Sequence, residues 1–217
     1  MTDEPEWRQR AVTRGLAGAH ARAEDRVADL VHAAWELIDE RGTAEFTVQD
    51  VVARSGQSVR VFYQCFSGKD ELLLALFEDS IREQAGDLQA VVDEETEPLA
   101  RLRAYTMRLY AWCGPGDTDD TPGSHQHLPI AEFALQLANV DPTHVEASME
   151  PVARLLLELL DDAVAAGVVR IANTERAAGI LKQLVMYSWH RNRYIKDPAM
   201  RITADEIWDF CLHGFGA

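Results

Sequence analysis

The sequence lacks any apolar run that approaches the ~20 residues of a transmembrane helix, so no membrane span is predicted. Its polar start, MTDEPEWRQR, lacks the apolar segment of a secretory signal, and we therefore expect a cytoplasmic chain. Cysteine is also scarce. Cys65, Cys113 and Cys211 lie far apart and form no CxxC pair, which is typical of reduced cysteines in the cytosol.

Basic residues are few relative to acidic ones: 21 Lys and Arg stand against 36 Asp and Glu, a net charge of −15. This excess of acid opposes binding to a polyanion. Its distribution is uneven, because residues 1–70 hold nine basic and twelve acidic residues, whereas the other 147 hold twelve and twenty-four. The acid therefore lies mostly outside the N-terminal third, and any nucleic-acid affinity is expected to depend strongly on salt.

No convincing strand pattern occurs, and the helix signals are densest in residues 47–70. Thr47 followed by Asp50 predicts a capping box at the start of a helix, and Gly56 predicts its end. A second short helix follows from about Ser58 to Gln64. Two short helices joined by a turn with glycine are typical of a helix-turn-helix, whose polar side chains can contact base edges and phosphates.

The residues around this motif closely resemble the N-terminal part of the TetR/AcrR family of bacterial repressors over residues 25–75. Val59 and Arg60 depart from the Lys and Gly of many members, and Cys65 stands where an aromatic residue is common. The resemblance implies an all-α fold with an N-terminal three-helix helix-turn-helix domain and a C-terminal helical ligand-binding and dimerisation domain. The matching residues are Arg41-Gly42, Phe46-Thr47-Val48, Ala53, Gly56, Ser58, Phe62-Tyr63, Phe66 and Lys69.

The motif and the resemblance together predict contacts with an operator in double-stranded DNA. Thr47, Tyr63 and Lys69 are expected on phosphates, Lys69 because a cation at a helix N-terminus calls for a compensating anion. The remaining candidates are expected on base edges or adjacent backbone: Gln57, Ser58, Val59, Arg60 and Gln64.

We predict a flexible arm over 1–23, a DNA-binding domain over 24–70 and an effector-binding and dimerisation domain over 71–217. The arm carries Arg8, Arg10, Arg14 and Arg22. It is either a DNA-contacting arm or a terminus without a role.

The last 120 residues contain many aromatic and methionine residues, which form either plain core or an apolar effector pocket. The resemblance implies the pocket, with a small apolar or aromatic effector that releases the repressor from DNA. Helices are expected over 142–166 and from 173 to about 196, and Thr203 with Glu206 predicts another capping box. The pocket candidates are Tyr105, Trp112, Phe133, Met149, Met186 and Trp189.

A two-fold homodimer would present two recognition helices to successive major grooves of a palindrome. In relatives the last helices form the dimer, which the resemblance carries over to this chain. The expected interface residues are Ile180, Leu181, Leu184, Ile207, Phe210 and Cys211.

Two other functions remain open on the residues alone. The acidic composition is compatible with a helical small-molecule carrier or a protein-interaction module that does not bind DNA. An enzyme would need a site such as His125 and His127 near Asp117, Asp119 and Asp120. A flexible loop lacks the rigid support of a metal site, and we predict no metal, no cofactor and no catalytic residue.

Overall fold

The computed structural model describes residues 6–113, 128–138, 142–192 and 194–214. This part of the chain is helical and contains no strand, which confirms the all-α prediction. A short 3₁₀ turn covers Pro198–Met200. The helices are α1 (Glu6–Arg41), α2 (Val48–Ser55), α3 (Val59–Cys65), α4 (Lys69–Asp93), α5 (Pro98–Cys113), α6 (Leu128–Ala138), α7 (Pro142–Ser148), α8 (Glu150–Ala165), α9 (Thr174–Asn192) and α10 (Ala204–Gly214).

The chain divides into two compact units, Met1–Leu76 and Phe77–Ala217. The division lies inside α4, and the predicted domain limits at residues 24, 70 and 71 stay predictions. None of the described helices combines the length and the apolar character that a bilayer crossing requires.

In the N-terminal unit, the local signals of the sequence act as predicted. The backbone N–H of Asp50 donates to Thr47 Oγ1 at 3.2 Å, and Asp50 Oδ2 accepts from the Thr47 N–H at 2.8 Å. This is the expected capping box of α2. Gly56 ends α2 with φ +69°, a left-handed conformation that glycine adopts without the steric cost of a Cβ.

The predicted flexible arm is different in the structure, because from Glu6 onward it forms the first turns of α1. The segment shows little apolar periodicity, and its described side chains from Arg14 to Asp29 are almost all exposed. It is nevertheless rich in Ala and Arg, which favour helix, and has no proline after Pro5. Once a helix is nucleated, propagation costs little, so the helix extends without packing.

At the start of α4, Ser67 followed by Asp70 also has the spacing of a capping box. In the structure the Ser67 backbone N–H donates to Glu71 Oε2 at 2.6 Å. Glu71 therefore supplies the carboxylate, and the hydrogen bonds from Ser67 lower the pKa of Glu71 below its ordinary value.

In the C-terminal unit, α5, α8, α9 and α10 pack against one another. Their buried faces include Leu102, Leu156, Leu160 and Val185, each exposed by 1% or less. The predicted capping box at the start of α10 is present, with Glu206 N–H donating to the Thr203 hydroxyl at 3.2 Å.

The single helix expected over 142–166 is two helices, α7 and α8, which meet at Met149. The cause is Pro151, which has no N–H to donate and whose ring opposes the carbonyl four residues earlier. Proline suits the first turn of a helix, and here it lies in the first turn of α8. The same residue was visible in the sequence and indicates the break.

Candidate nucleic-acid interface

Helix α3 packs against the domain core with one side and is exposed to solvent on the other. Phe62 is fully buried, and Phe66 just after the helix is 6% exposed, with the two ring centroids 5.8 Å apart. On the opposite side Val59, Arg60, Tyr63 and Gln64 are exposed, Tyr63 by 58%. These four side chains form what we call the exposed edge of α3. A helix anchored by aromatic rings with a polar, exposed edge fits entry into a groove.

The two residues before α3 have structural partners. Ser58 is the N-cap, and its Oγ accepts from the Val61 backbone N–H at 3.2 Å. Gln57 Nε2 donates to Asp29 Oδ2 on α1 at 2.9 Å. The Gln57 side chain therefore ties the start of α3 to α1, and its predicted DNA contact would compete with this hydrogen bond.

Thr47 makes more hydrogen bonds within its own domain than the sequence indicates. Its backbone N–H and its hydroxyl both donate to Asp50 Oδ2, at 2.8 and 3.0 Å. Arg41 Nη1 lies 3.1 Å from the same oxygen, and the hydrogen bonds from Arg41 and Thr47 hold the pKa of Asp50 well below its ordinary value. Both donors expected on a phosphate are thus used inside the domain.

Lys69 is the first residue of α4, where its charge opposes the helix dipole as the sequence indicates. Its Nζ lies 4.9 Å from the centroid of the Phe46 ring, a cation–π distance. Phe46 is only 3% exposed, so the ring fixes the lysine stem while the side chain stays half-buried rather than enclosed.

The arginines of this unit fall into two groups. Arg41 pairs with Asp50, and Arg54 lies 2.5 Å from Glu40 and 3.5 Å from Glu36. The Arg54 hydrogen bond lowers the pKa of Glu40. A second group forms no ion pair with any residue that the structure describes: Arg22, Arg26 and Arg60. These three arginines therefore have their charge available to an external anion.

The predicted effector residues lie in the C-terminal unit in different environments. Tyr105 is 1% exposed, and its hydroxyl donates to the Val152 carbonyl at 2.9 Å, a core position. Trp112 is half-buried, with Nε1 donating to Asp87 Oδ2 at 2.8 Å. Phe133, Met149 and Met186 are half-buried, and the side chain of Trp189 lies outside the described residues.

Two polar features of the C-terminal unit were not predicted from the sequence. Asp87 on α4 accepts from Arg108 Nε at 2.5 Å and Nη2 at 2.6 Å, and Arg108 holds the pKa of the Asp87 carboxyl below its ordinary value. Gln84 is only 6% exposed, and its side chain has no hydrogen-bond partner in the part of the chain that is described. Its position among Phe77, Ile81 and Leu88 on the apolar stripe of α4 could have indicated it.

The predicted dimer residues separate into two groups. Leu181, Ile207 and Cys211 are at most 4% exposed and belong to the subunit's own core, where burial raises the pKa of the Cys211 thiol to about 11. The apolar positions of α9 and α10 cover two faces, and these three lie on the inward one, so their place in a dimer interface stays a prediction. Ile180 and Phe210 are 60% and 68% exposed, and Leu184 is half-buried.

An open groove of about 830 Å³ follows the outer face of α9. Its apolar lining includes Ile180, Leu184, Tyr187 and Ile202, and Arg176 lies at one end. None of the predicted effector residues with a described side chain lines this groove. It therefore coincides with the exposed part of the predicted dimer face.

Within the described residues, no three His, Cys, Asp or Glu side chains are grouped as metal ligands would be. His125 and His127, with Asp117, Asp119 and Asp120, lie outside the described part of the chain.

Residues 30–76 match the sequence profile of bacterial regulatory proteins of the tetR family. The chain is also 33% identical over 76 residues to the HTH-type transcriptional regulator BetI of Brucella canis. That alignment covers 35% of this chain and 38% of BetI. The chain thus spans less than half the length of this curated relative.

Two solved structures resemble almost the whole chain. FadR from Bacillus subtilis in complex with stearoyl-CoA is 14% identical, with a TM-score of 0.64 over 86% of this chain and 98% of FadR. AibR in complex with isovaleryl coenzyme A and operator DNA is 18% identical, with a TM-score of 0.58 over 88% of this chain and 97% of AibR. At these identities the likeness establishes the fold.

Proposed function

We propose that the chain is a ligand-responsive, cytoplasmic DNA-binding repressor of the TetR/AcrR family of bacterial transcriptional regulators, which its N-terminal helices resemble. It binds a palindromic operator as a homodimer and is released by a small apolar or aromatic effector. The observation that carries the proposal is the exposed edge of α3, which rests on buried Phe62 and Phe66. The matched profile over residues 30–76 covers this helix.

The contacts divide by chemistry. Arg60 has no ion pair within the described residues, and a guanidinium suits bidentate contact with guanine in the major groove. Val59 can meet a thymine methyl group, and Gln64 an adenine edge. Tyr63 and Lys69 contact phosphates, which fix the register of α3 on the duplex. Ser58 Oγ accepts from the Val61 N–H, so its hydroxyl proton is available for a hydrogen bond to the DNA backbone. Gln57 holds α3 in position through Asp29, and Thr47 holds α2 in position through Asp50.

The effector site that we propose lies in the C-terminal unit. Half-buried Trp112, Phe133, Met149 and Met186 supply apolar surface. Gln84 supplies the polar group: its buried amide has no hydrogen-bond partner among the described residues, and an unsatisfied buried amide costs ~1–3 kcal/mol that a ligand can recover. The neighbours FadR and AibR were solved with acyl-coenzyme A molecules, which supports a ligand site of this general kind. Effector binding releases DNA only if the ligand prefers the conformer that does not bind it.

Dimerisation follows the outer face of α9 together with Phe210 of α10. Exposed Ile180, Tyr187 and Phe210 leave a large apolar surface on a single subunit, and such surfaces mark interaction sites. Two copies joined there would present two α3 helices to half-sites one helical turn apart.

The proposal is tested by measuring binding of the chain to its gene's own upstream DNA across a salt series. Arg60→Ala should lose ~1–3 kcal/mol at one base position of each half-site and relax preference there. Lys69→Ala should weaken all sequences alike and reduce the salt slope by about one for each contact removed. Arg82→Ala, an exposed arginine of α4 outside the N-terminal unit, is the control and should leave both unchanged.

If the parent does not bind this DNA, or binds exactly as Arg60→Ala and Lys69→Ala do, the assignment is wrong. A small molecule extracted from the purified protein, together with an absence of DNA binding, would instead favour the helical carrier that the net charge of −15 allows.

A further inference from the structure

Lysine and arginine are almost absent from the segments that carry most of the proposed effector residues. Residues 70–93 of α4 contain one of them, Arg82, and the 50 residues from 104 to 153 contain one, Arg108. The second segment runs from α5 to the start of α8. It includes three of the residues proposed to contact the effector, Trp112, Phe133 and Met149. These two segments therefore provide two guanidinium groups and no ammonium group.

Both guanidinium groups are already paired with a carboxylate. Arg108 donates to Asp87 at 2.5 and 2.6 Å, and Arg82 pairs with Asp79 on the same helix. Asp79 and Asp87 are also the half-buried carboxylates of the C-terminal unit, since the other carboxylates described there are exposed. A charged ligand beside α4 and α5 would thus find no unpaired opposite charge in the described part of these helices, and burying an unpaired ion is costly.

Gln84 supplies an uncharged polar group at the same place. It lies one turn before Asp87 on the same face of α4, where residues three apart have Cβ atoms about 5–6 Å apart. Asp87 accepts from the Trp112 indole, so this face of α4 meets the end of α5. The Gln84 side chain is 6% exposed, and no described group shares a hydrogen bond with its amide. An amide both donates and accepts, which matches a carbonyl, hydroxyl or amide group on a ligand.

We propose that the effector is an uncharged, mostly apolar molecule whose one carbonyl, hydroxyl or amide group pairs with Gln84. The inference deepens the proposed function and rests on it. Half-buried Trp112, Phe133 and Met149 provide the apolar contacts around that single polar group. FadR and AibR were solved with acyl-coenzyme A molecules, whose phosphate groups need cations as partners. The effector of this chain therefore belongs to a different chemical class.

The test is isothermal titration calorimetry of the whole chain with matched probes, in the absence of DNA. The probes are straight-chain and phenyl-substituted primary amides of about six to twelve carbons, each with the carboxylate, the ammonium ion and the coenzyme A thioester of the same chain. At least one amide should bind, about tenfold or more tightly than its charged counterparts. A charged counterpart that binds more tightly than its amide, or a series in which no amide binds, overturns the inference.

Replacing Gln84 tests the hydrogen bond itself. Gln84→Met keeps the length of the side chain and removes its amide, so the tightest amide should bind about tenfold more weakly. The melting temperature without ligand should rise by about 2–4 °C, because the unsatisfied buried amide is gone. A role in packing alone would not lower affinity and raise stability together. Gln89→Met, at an exposed site of the same helix, is the control and should change neither.

Releasing Arg108 from its partner tests the argument from charge. Asp87→Asn leaves the guanidinium without an ionised acceptor, so the carboxylate probe should bind about tenfold more tightly than it binds the parent. Asp93→Asn, which removes an exposed carboxylate from the same helix, is the control and should leave carboxylate binding unchanged. An Asp87→Asn variant that binds the carboxylate as weakly as the parent does would contradict the argument from charge.

Calorimetry without DNA separates this inference from the function on which it rests. A parent that binds an amide but not its upstream DNA retains the ligand class and contradicts the proposed repressor. A parent that binds this DNA and is released from it by a carboxylate or a coenzyme A thioester, and not by the amide, retains the repressor and overturns the ligand class.

Discussion

Asp87 connects α4 to α5 through three hydrogen bonds, two from Arg108 and one from the Trp112 indole. The carboxylate is half-buried, with its side chain 26% exposed. Charge-assisted, bidentate pairs of this kind are the stronger ones in proteins. Because the Trp112 indole donates to this carboxylate, Asp87 also sets the orientation of a proposed effector residue.

Asp87→Asn should lower the free energy of unfolding by about 1–3 kcal/mol, because Arg108 loses an ionised acceptor. Arg108 depresses the folded pKa of Asp87, so this stabilisation is present above the unfolded pKa and is lost as pH falls through the folded one. In denaturant unfolding, the difference in free energy of unfolding between parent and variant should therefore be constant from pH 7 to about pH 4. Below about pH 4 this difference should shrink. Asp93→Asn is the control: the exposed Asp93 carboxylate accepts from Gln89 Nε2, and its replacement should change stability by less than about 0.5 kcal/mol. A gap that widens in acid would contradict the pKa direction.

At the scale of single helices, prediction succeeded where the deciding interaction is local. The Thr47–Asp50 and Thr203–Glu206 boxes join residues three apart, and Gly56 ends α2 through its own φ of +69°, so the sequence shows everything that these signals need. The extension of α1 was missed because it depends on helix propensity without periodicity. The burial of Leu181, Ile207 and Cys211 inside the subunit was not predicted, because a sequence shows that a position is apolar but not which neighbour covers it.

Replacing glycine by alanine should have opposite effects on stability at the end of α2 and in the interior of α4. Gly56→Ala should destabilise the chain by about 1–2 kcal/mol, because an alanine at φ +69° places Cβ against the next carbonyl. Gly86→Ala should stabilise it by about 0.5–1 kcal/mol, since Gly86 lies in a helix interior and an added Cβ there meets nothing within 4 Å. Thermal unfolding of both variants measures the two changes. Equal effects of the two substitutions would mean that the backbone conformation of Gly56 does not decide where α2 ends.

The whole molecule combines a nearly balanced N-terminal part with an acidic remainder, −3 over residues 1–70 and −12 over the other 147. Under the proposed function, two copies would double this repulsion from DNA, so binding would depend on the few arginines without an ion pair among the described residues and on presenting them twice. That requirement links the exposed edge of α3 to the outer face of α9, since a lone chain offers a single α3 to a single half-site.

The pairing is testable through the exposed apolar residues alone. Ile180→Gln with Phe210→Gln removes four large apolar side chains from a symmetric pair. At ~1.5–3 kcal/mol for each buried side chain, this should weaken association by at least about 10⁴-fold. Light scattering at micromolar protein should give twice 24.3 kDa for the parent and 24.3 kDa for the variant.

Leu16→Gln, at an equally exposed site of α1, is the control for that variant and should keep the mass of the parent. The separated chains should remain folded, since the buried residues Leu181 and Ile207 are unchanged, and should bind a palindrome no more tightly than one half-site. A variant that keeps the doubled mass would move the interface away from α9 and α10. A parent of single-chain mass that nevertheless binds a palindrome tightly would remove the need for a pair altogether.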